Sequence, residues 1–183
     1  MPAREDGARR LRAGAATPDE DAAVLSGDVL VPGATIAMNR AATFPVPPDA
    51  LWPWLVQLGK GRGGWYFPRW LDRLTPPGRR GLRHLDPSLQ QVKVGDEHPD
   101  WGPGEPTLRV VEFDPARTLV YHSVRGDFEM SWQLVLTPAG AGTRLHHRVR
   151  ARTKTRVFAE LGDLFDGITV VLLFRGLRER IGP

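Results

Sequence analysis

The C-terminal end of the sequence holds a segment that is too broadly apolar for an ordinary surface helix. From about Thr155 to Arg180, apolar residues recur at the three- and four-residue spacing of an α-helix. The recurring positions are Val157, Leu161, Leu164, Phe165, Ile168, Val171, Leu172 and Leu177. Val170 and Leu173 widen the apolar arc, so this helix needs cover on more than one side. A sheet that curls around it would supply that cover.

The sequence before this helix predicts a run of antiparallel strands. Residues 107–113 and 118–124 are rich in β-branched and apolar residues, and the turn between them is typical of a hairpin. Residues 128–136 and 144–152 alternate between apolar and polar side chains, which indicates two strands with one buried face each. The outer face of the last strand, which we expect to be solvated, holds Arg144, His146, Arg148, Arg150 and Arg152.

The N-terminal half predicts a first strand and two short helices. The strand covers Thr35 to Phe44 and ends at a proline-rich turn. Helices are predicted from Pro48 to Leu58 and from Arg69 to Leu74, with a short strand near Gln91–Val94. Because the strands are segregated from the long last helix, the order of elements predicts an α+β fold.

Length and composition predict one domain with a tail. Residues 1–23 lack apolar periodicity and are predicted to be a disordered tail, while residues 24–183 form the domain. The chain has no cysteine and no apolar leader, which favours a cytoplasmic protein. Its most apolar stretch, Ile168–Phe174, is far shorter than the ~20 residues that span a bilayer. The net charge of +4 comes from dispersed arginines, so we predict no nucleic-acid partner.

Aromatic residues are the first candidates for a binding site. Trp65, Tyr66, Trp70 and Trp132 can stack on a flat apolar ligand, and core packing is the competing interpretation for Trp132 above all. Residues 59–64 match the letters of a G-x-G-x-x-G motif but follow a helix and lead into aromatic residues. We therefore expect this loop to position Trp65 and Tyr66 rather than to bind a nucleotide.

Three residues of the predicted strands add polar candidates. His147 lies on the buried face of its strand, where it can act as a general acid or base, hydrogen-bond a ligand, or bond to the backbone as an ordinary core histidine. Tyr121 and Glu112 can also line a site if their strand faces are buried.

One loop carries residues of the kinds that bind metals. Asp96, His98 and Asp100 alternate in this loop, but no fourth ligand is identifiable. We interpret the loop as a solvated acidic turn and predict neither a metal nor a cofactor.

The sequence resembles the START-like, or SRPBCC, superfamily, and within it the polyketide cyclase/dehydrase-like group. The resemblance is carried by residues 47–59 (PPDALWPWLVQLG), 61–66 (GRGGWY) and 94–96 (VGD), and by the two last strands followed by a long helix. It covers roughly residues 24–180. It implies a helix-grip fold, in which a curved antiparallel sheet wraps around the C-terminal helix and leaves an elongated cavity between them.

This resemblance transfers no particular reaction, because such folds host carriers, receptors and enzymes. The preferred hypothesis is that the cavity binds a hydrophobic small molecule such as a lipid or polyketide. A second is a cyclase/dehydratase that uses the same cavity, with Tyr66 and His147 as acid–base groups. A third is an interaction module without a ligand, in which the last helix or the aromatic loop would form a dimer contact. The chain is accordingly predicted to be a monomer or a homodimer.

Overall fold

Six strands form one antiparallel sheet, with a long helix at the C-terminus. The computed structural model describes residues 14–102, 104–153 and 156–182, with the helix backbone alone for 156–166. The strands β1 to β6 span Ile36–Phe44, Glu97–Pro99, Thr107–Asp114, Thr118–Arg125, Phe128–Ala139 and Gly142–Arg152. The α-helices of the described residues, α1 to α4, span Pro18–Ala22, Pro48–Val56, Arg69–Asp72 and Arg156–Ile181.

The sheet order is β1-β6-β5-β4-β3-β2, so the first strand pairs with the last. The α+β class and the strand–helix order agree with the prediction, and the arrangement is consistent with a helix grip. The short strand predicted near Gln91–Val94 is wrong in position. The chain turns there, where the Lys93 amide donates to the Asp96 carboxylate (3.0 Å), and pairing begins only at Glu97.

Helix α4 packs on the inner face of the sheet through its C-terminal half. Val170, Leu173, Phe174 and Leu177 are buried in the main core, and the Phe174 ring meets Phe44 of β1 edge-on at 6.0 Å. Ile168 is exposed, against the prediction. The side chains of Val157, Leu161, Leu164 and Phe165 lie outside the described residues. None of the described helices is both long and apolar enough to cross a membrane.

The outer face of the sheet is covered as well, by a segment that we call the strap, residues 14–31. This corrects two predictions. Residues 14–23 are not a tail but contain α1, and residues 1–13 lie outside the described part of the chain. The arginine face is not fully solvated either: Arg144, His146 and Arg148 are buried beneath the strap.

Arg148 holds the strap to the sheet. Its side chain is 2% exposed, and its guanidinium makes five hydrogen bonds. Nε donates to Asn39 Oδ1 (2.5 Å), Nη1 to the Asp28 carboxylate (2.8 Å) and the Ala23 carbonyl (2.7 Å), and Nη2 to the Glu20 and Asp21 carbonyls (2.6 and 3.3 Å). An arginine has five N–H donors, so each of them is matched.

Two strap carboxylates complete this network. Burial alone would raise the pKa of Glu20 and Asp28. Hydrogen bonds outweigh that effect, chiefly from Arg144 and Thr17 to Glu20 and from the Leu25 amide to Asp28, and the pKa of both groups falls below its usual value. Both acids are therefore ionised near neutral pH, as the arginines beside them require.

We expect Arg148→Met to lower the free energy of unfolding by about 3–5 kcal/mol, because it removes the paired charge of the Asp28 carboxylate and leaves the carbonyls of Glu20, Asp21 and Ala23 without this donor. Urea unfolding measures the loss, and limited proteolysis within residues 14–31 should accelerate. The matched control Arg117→Met removes an exposed arginine of the β3–β4 turn and should change stability by about 0.5 kcal/mol or less. Equal effects of the two substitutions would contradict the assignment of Arg148 as the clamp.

Helix α4 also approaches the chain closely at Gly176. A methyl group at this position would overlap the carbonyl of Tyr66, whereas one at Gly78 would meet no atom within 4 Å. Gly176→Ala should therefore destabilise by about 3 kcal/mol, at the upper end of overpacking costs, and Gly78→Ala by about 0.5 kcal/mol or less. Thermal unfolding of both variants tests this, and a Gly176→Ala protein as stable as the parent would contradict the packing described.

Candidate functional site

Aromatic side chains on the inner face of the sheet form a connected group that we call the aromatic row. Its members are Trp101, Trp65, Trp132, Tyr121 and His98, in order of contact, with His147 beside Trp132. Successive ring centroids lie 5.2–6.1 Å apart, and the Tyr121 and Trp132 rings stack at 5.2 Å with 22° between their planes. Such spacing is that of favourable aromatic pairs.

Strand register explains why these rings meet. Tyr121 of β4 lies directly opposite Trp132 of β5, and His147 of β6 lies opposite Leu134, the next inward residue after Trp132. Residues paired across antiparallel strands share a face, so alternation aims all three side chains inward. This confirms the predicted inward orientation of Trp132 and His147 and places Tyr121 with them.

The row runs from the surface to the interior. Trp101 is 45% exposed, Trp65 is half-buried, and Tyr121 and His147 are each only 1% exposed. Trp65 Nε1 donates to the Thr169 carbonyl of α4 at 3.1 Å, which fastens this ring between the helix and Trp132. Trp65 is therefore the member of the row that joins the sheet to α4.

Four buried polar atoms of the row are unsatisfied. Within the described residues, no hydrogen-bond partner is present for the Tyr121 hydroxyl, Trp132 Nε1, His147 Nδ1 or His98 Nδ1. Each such atom costs about 1–3 kcal/mol when it is left unpaired. Because these atoms lie on contacting rings, this part of the inner face can form hydrogen bonds with a further molecule as well as stack on it.

The row is uncharged near neutral pH. Burial, with help from the charges of His146 and Arg40, lowers the pKa of His147 to about 3. Burial and then Arg62 lower the pKa of His98 to about 4, and burial raises the pKa of Tyr121. Neutral imidazole and phenol groups suit the binding of uncharged polar groups. A pKa so far below neutral makes His147 a weak general base.

Tyr66 does not join the row. Its hydroxyl donates to the Trp54 carbonyl at 2.9 Å, and its ring packs against Trp54 and beneath the Arg180 guanidinium (4.5 Å). Burial raises the pKa of its phenol. The residue is thus a satisfied core tyrosine, and its proton is engaged within the protein.

Two more candidates lie away from the row. Trp70 is 55% exposed on α3 and makes none of the ring contacts of the row. Glu112 does not face inward, because a bulge between Val110 and Glu112 shifts the register and sets Glu112 opposite Val120. Val120 packs under the strap near Gly27, so this pair belongs to the outer face.

The glycine-rich loop positions Trp65 but not Tyr66 in the row. Gly59 and Gly64 bridge each other, and Arg62 Nη2 donates to the Leu89 carbonyl at 2.6 Å and to the Val56 carbonyl at 3.2 Å. Lys60 Nζ reaches the Asp100 carbonyl at 2.9 Å, which ties the loop to the segment that carries Trp101. The loop therefore acts as a scaffold for the exposed end of the row.

The acidic loop does not gather its polar residues around one point. Asp96 accepts from the Lys93 amide, Asp100 pairs with Arg125, and His98 turns into the row. Among the described residues, no three His, Cys, Asp or Glu side chains are placed to hold a metal ion together. Sequence reasoning missed His98 as a member of the row, and it missed Trp101 altogether.

No protein-family model and no curated protein matches this chain. Solved structures do match it, among them the MLL2253 protein of Mesorhizobium loti, at 17% identity and a TM-score of 0.52, over 79% of this chain and 96% of that one. The CV1439 protein of Chromobacterium violaceum shares 14% identity and a TM-score of 0.51, over 80% and 97% of the two chains. A Rhodobacter sphaeroides protein shares 20% identity and a TM-score of 0.50, over 80% and 92%. At these identities the similarity concerns the fold alone.

The buried imidazole of His147 should make stability depend on pH. Its folded pKa of about 3 lies below the ordinary 6.5, so unfolding takes up a proton between these values. Its contribution to stability is complete above about pH 6.5 and is lost as the pH falls towards 3. His147→Leu should therefore reduce the slope of unfolding free energy against pH, near about pH 5, by about 1.4 kcal/mol per pH unit.

Urea unfolding at several pH values measures this slope, which does not depend on the absolute stability of the variant. The parent protein, unfolded at the same pH values, is the reference for this slope. If His147→Leu keeps the slope of the parent, His147 is not held neutral as described.

Proposed function

We propose that this chain is a START-like protein that binds an uncharged, flat, largely apolar small molecule against the aromatic row, between the sheet and α4. The single observation that carries the proposal is the group of four unsatisfied polar atoms on contacting, buried rings. Native proteins pair almost all such atoms, so a ligand that supplies the partners accounts for them.

The row also limits the chemistry of the ligand. Stacked rings offer flat apolar contact, while the Trp132 N–H can only donate and therefore needs an acceptor oxygen or nitrogen. The Tyr121 hydroxyl and the neutral imidazoles can donate or accept. A planar molecule with carbonyl and hydroxyl groups, as in aromatic polyketides, meets both requirements, and a charged ligand does not fit the neutral row.

Binding is favoured over acid–base catalysis by the same geometry. The two residues predicted as acid–base groups are poorly suited to it, because the Tyr66 hydroxyl donates its hydrogen bond to the Trp54 carbonyl and His147 has a pKa of about 3. A cyclase/dehydratase working by confinement of its substrate would need neither group, and turnover of a poly-β-ketone would establish it.

The first experiment asks whether the protein carries a guest. Native mass spectrometry and organic extraction of the purified protein should reveal a bound molecule. Titration with 1,8-dihydroxyanthraquinone, an uncharged planar probe, should then quench tryptophan fluorescence saturably, since four rings of the row are Trp or Tyr.

Conservative variants of the row test which groups hold the probe. Tyr121→Phe keeps the ring and removes only an unsatisfied hydroxyl, whereas Trp132→Phe removes the indole N–H together with part of the stacking surface, so each should weaken probe binding by about tenfold. Tyr121→Phe should also leave stability unchanged or raise it, because no hydrogen bond of the described protein is lost. The control Tyr66→Phe removes a satisfied bond and should cost about 1 kcal/mol of stability without changing affinity. Probe binding that is unchanged by both row variants would refute the proposed site.

A further inference from the structure

A second feature, remote from the aromatic row, is a cleft of about 340 Å³ beside α3. Its lining residues are Arg69, Asp72, Arg73, Arg80, Gly81 and Arg83. Four arginines and one carboxylate therefore face the same space. Such an excess of one charge in a concave site concentrates counter-ions.

The floor of the cleft is rigid and already neutralised. Asp72 pairs with Arg83 at 2.6 Å and with Arg180 at 3.7 Å. The Arg180 side chain is fully buried and donates to the carbonyls of Phe67, Gly81, Leu82 and Gly176. These bonds tie the loop around the cleft to the end of α4, so the walls are fixed before any ligand arrives.

The rim is different, because most guanidinium N–H groups of its arginines make no bond. In the part of the chain that the structure describes, the side chains of Arg69 and Arg73 make no hydrogen bond or ion pair, and Arg80 uses only Nε, to the Thr75 carbonyl at 2.8 Å. The nearby Glu179 carboxylate is occupied by the Arg69 amide and by Arg83. Three positive charges thus surround one cleft without a neutralising acid.

From this arrangement we infer that the cleft binds a phosphoryl anion, with Arg69, Arg73 and Arg80 as its ligands. Planar guanidinium groups match phosphate oxygens in bidentate pairs, and an anion also relieves the mutual repulsion of the three cations. This inference does not depend on the proposed function, since none of these residues contacts the aromatic row.

The phosphoryl group can belong to a soluble molecule or to a lipid headgroup. Trp70 (55% exposed) and Leu74 (76% exposed) directly follow Arg69 and Arg73 in the sequence. Exposed apolar side chains between cations suit an anionic lipid surface, whereas the concave cleft itself suits either source.

Calorimetric titration with pyrophosphate at low ionic strength tests the soluble source, and co-sedimentation with phosphatidylcholine vesicles, with or without phosphatidic acid, tests the lipid source. We expect one-to-one pyrophosphate binding, or sedimentation that requires phosphatidic acid. The double substitution Arg73→Gln/Arg80→Gln should weaken the observed binding by about tenfold or more. Both residues are exposed, and circular dichroism should confirm an unchanged fold.

The matched control is Arg117→Gln, which removes an equivalent charge from the β3–β4 turn, outside the lining of the cleft. It should leave binding within about twofold, because Arg117 cannot pair with an anion held in the cleft. Binding to neither probe overturns the inference. An equal loss of binding in the control and in the cleft variant also overturns it, because the effect would then come from the overall charge of the protein.

Discussion

The sheet of this protein is buried on both faces, and the rest of the structure is arranged around that constraint. A half-buried antiparallel sheet can leave polar side chains in water, but here Arg148, Arg144 and Gln133 point into a protein-covered layer. The strap meets this demand with carboxylates, carbonyls and an amide: Gly27 N donates to Gln133, and Asp28 accepts from Gln133 and Arg148. The covering segment and the polar outer face thus require each other.

The two faces differ in how the unsatisfied polar atoms of the described residues are arranged. On the outer face every N–H of Arg148 has an acceptor, and the buried atoms without a hydrogen-bond partner, Ser131 Oγ, Arg144 Nη1 and Arg150 Nε, belong to separate side chains. On the inner face, the Tyr121 hydroxyl and Trp132 Nε1 are unpaired on two rings that stack on each other. Stacked rings with unpaired polar atoms form one surface that a flat ligand can cover, which is why we assign function to the inner side.

Much of this architecture follows from sequence periodicity. Helix α4 and strands β3 to β6 lie within a few residues of their predicted bounds, because their apolar spacing is long and regular. The alternation of apolar and polar residues also correctly predicted that Trp132 and His147 face inward. The same reasoning failed at Glu112, because a bulge inserts one residue into β3 and turns the Glu112 side chain to the other face of the sheet. The alternation of so short a strand does not reveal such a bulge.

Other features could not be predicted because they depend on tertiary contacts. Alternation tells which face a residue occupies but not what covers that face, so Arg148 was predicted to be solvated. The first half of the strap lacks apolar periodicity, and its contacts with Arg144 and Arg148 come from charged and backbone groups that periodicity does not detect. Trp101 and His98 belong to a loop and a three-residue strand, where no repeat exists to relate them to Trp132.

The first residues of the strap lie beside the edge strand β1, and this has a consequence for self-association. Before α1 the chain runs along β1, where the Ala41 amide donates to the Gly14 carbonyl at 3.0 Å and Ala15 bridges Arg40. That side of the sheet is thereby capped, and at the opposite border β2 is three residues long and ends in Pro99, which has no N–H to offer. Over the described residues, both borders therefore offer only interrupted stretches of amides and carbonyls on which another polypeptide could add a strand, which disfavours edge-to-edge growth into fibrils.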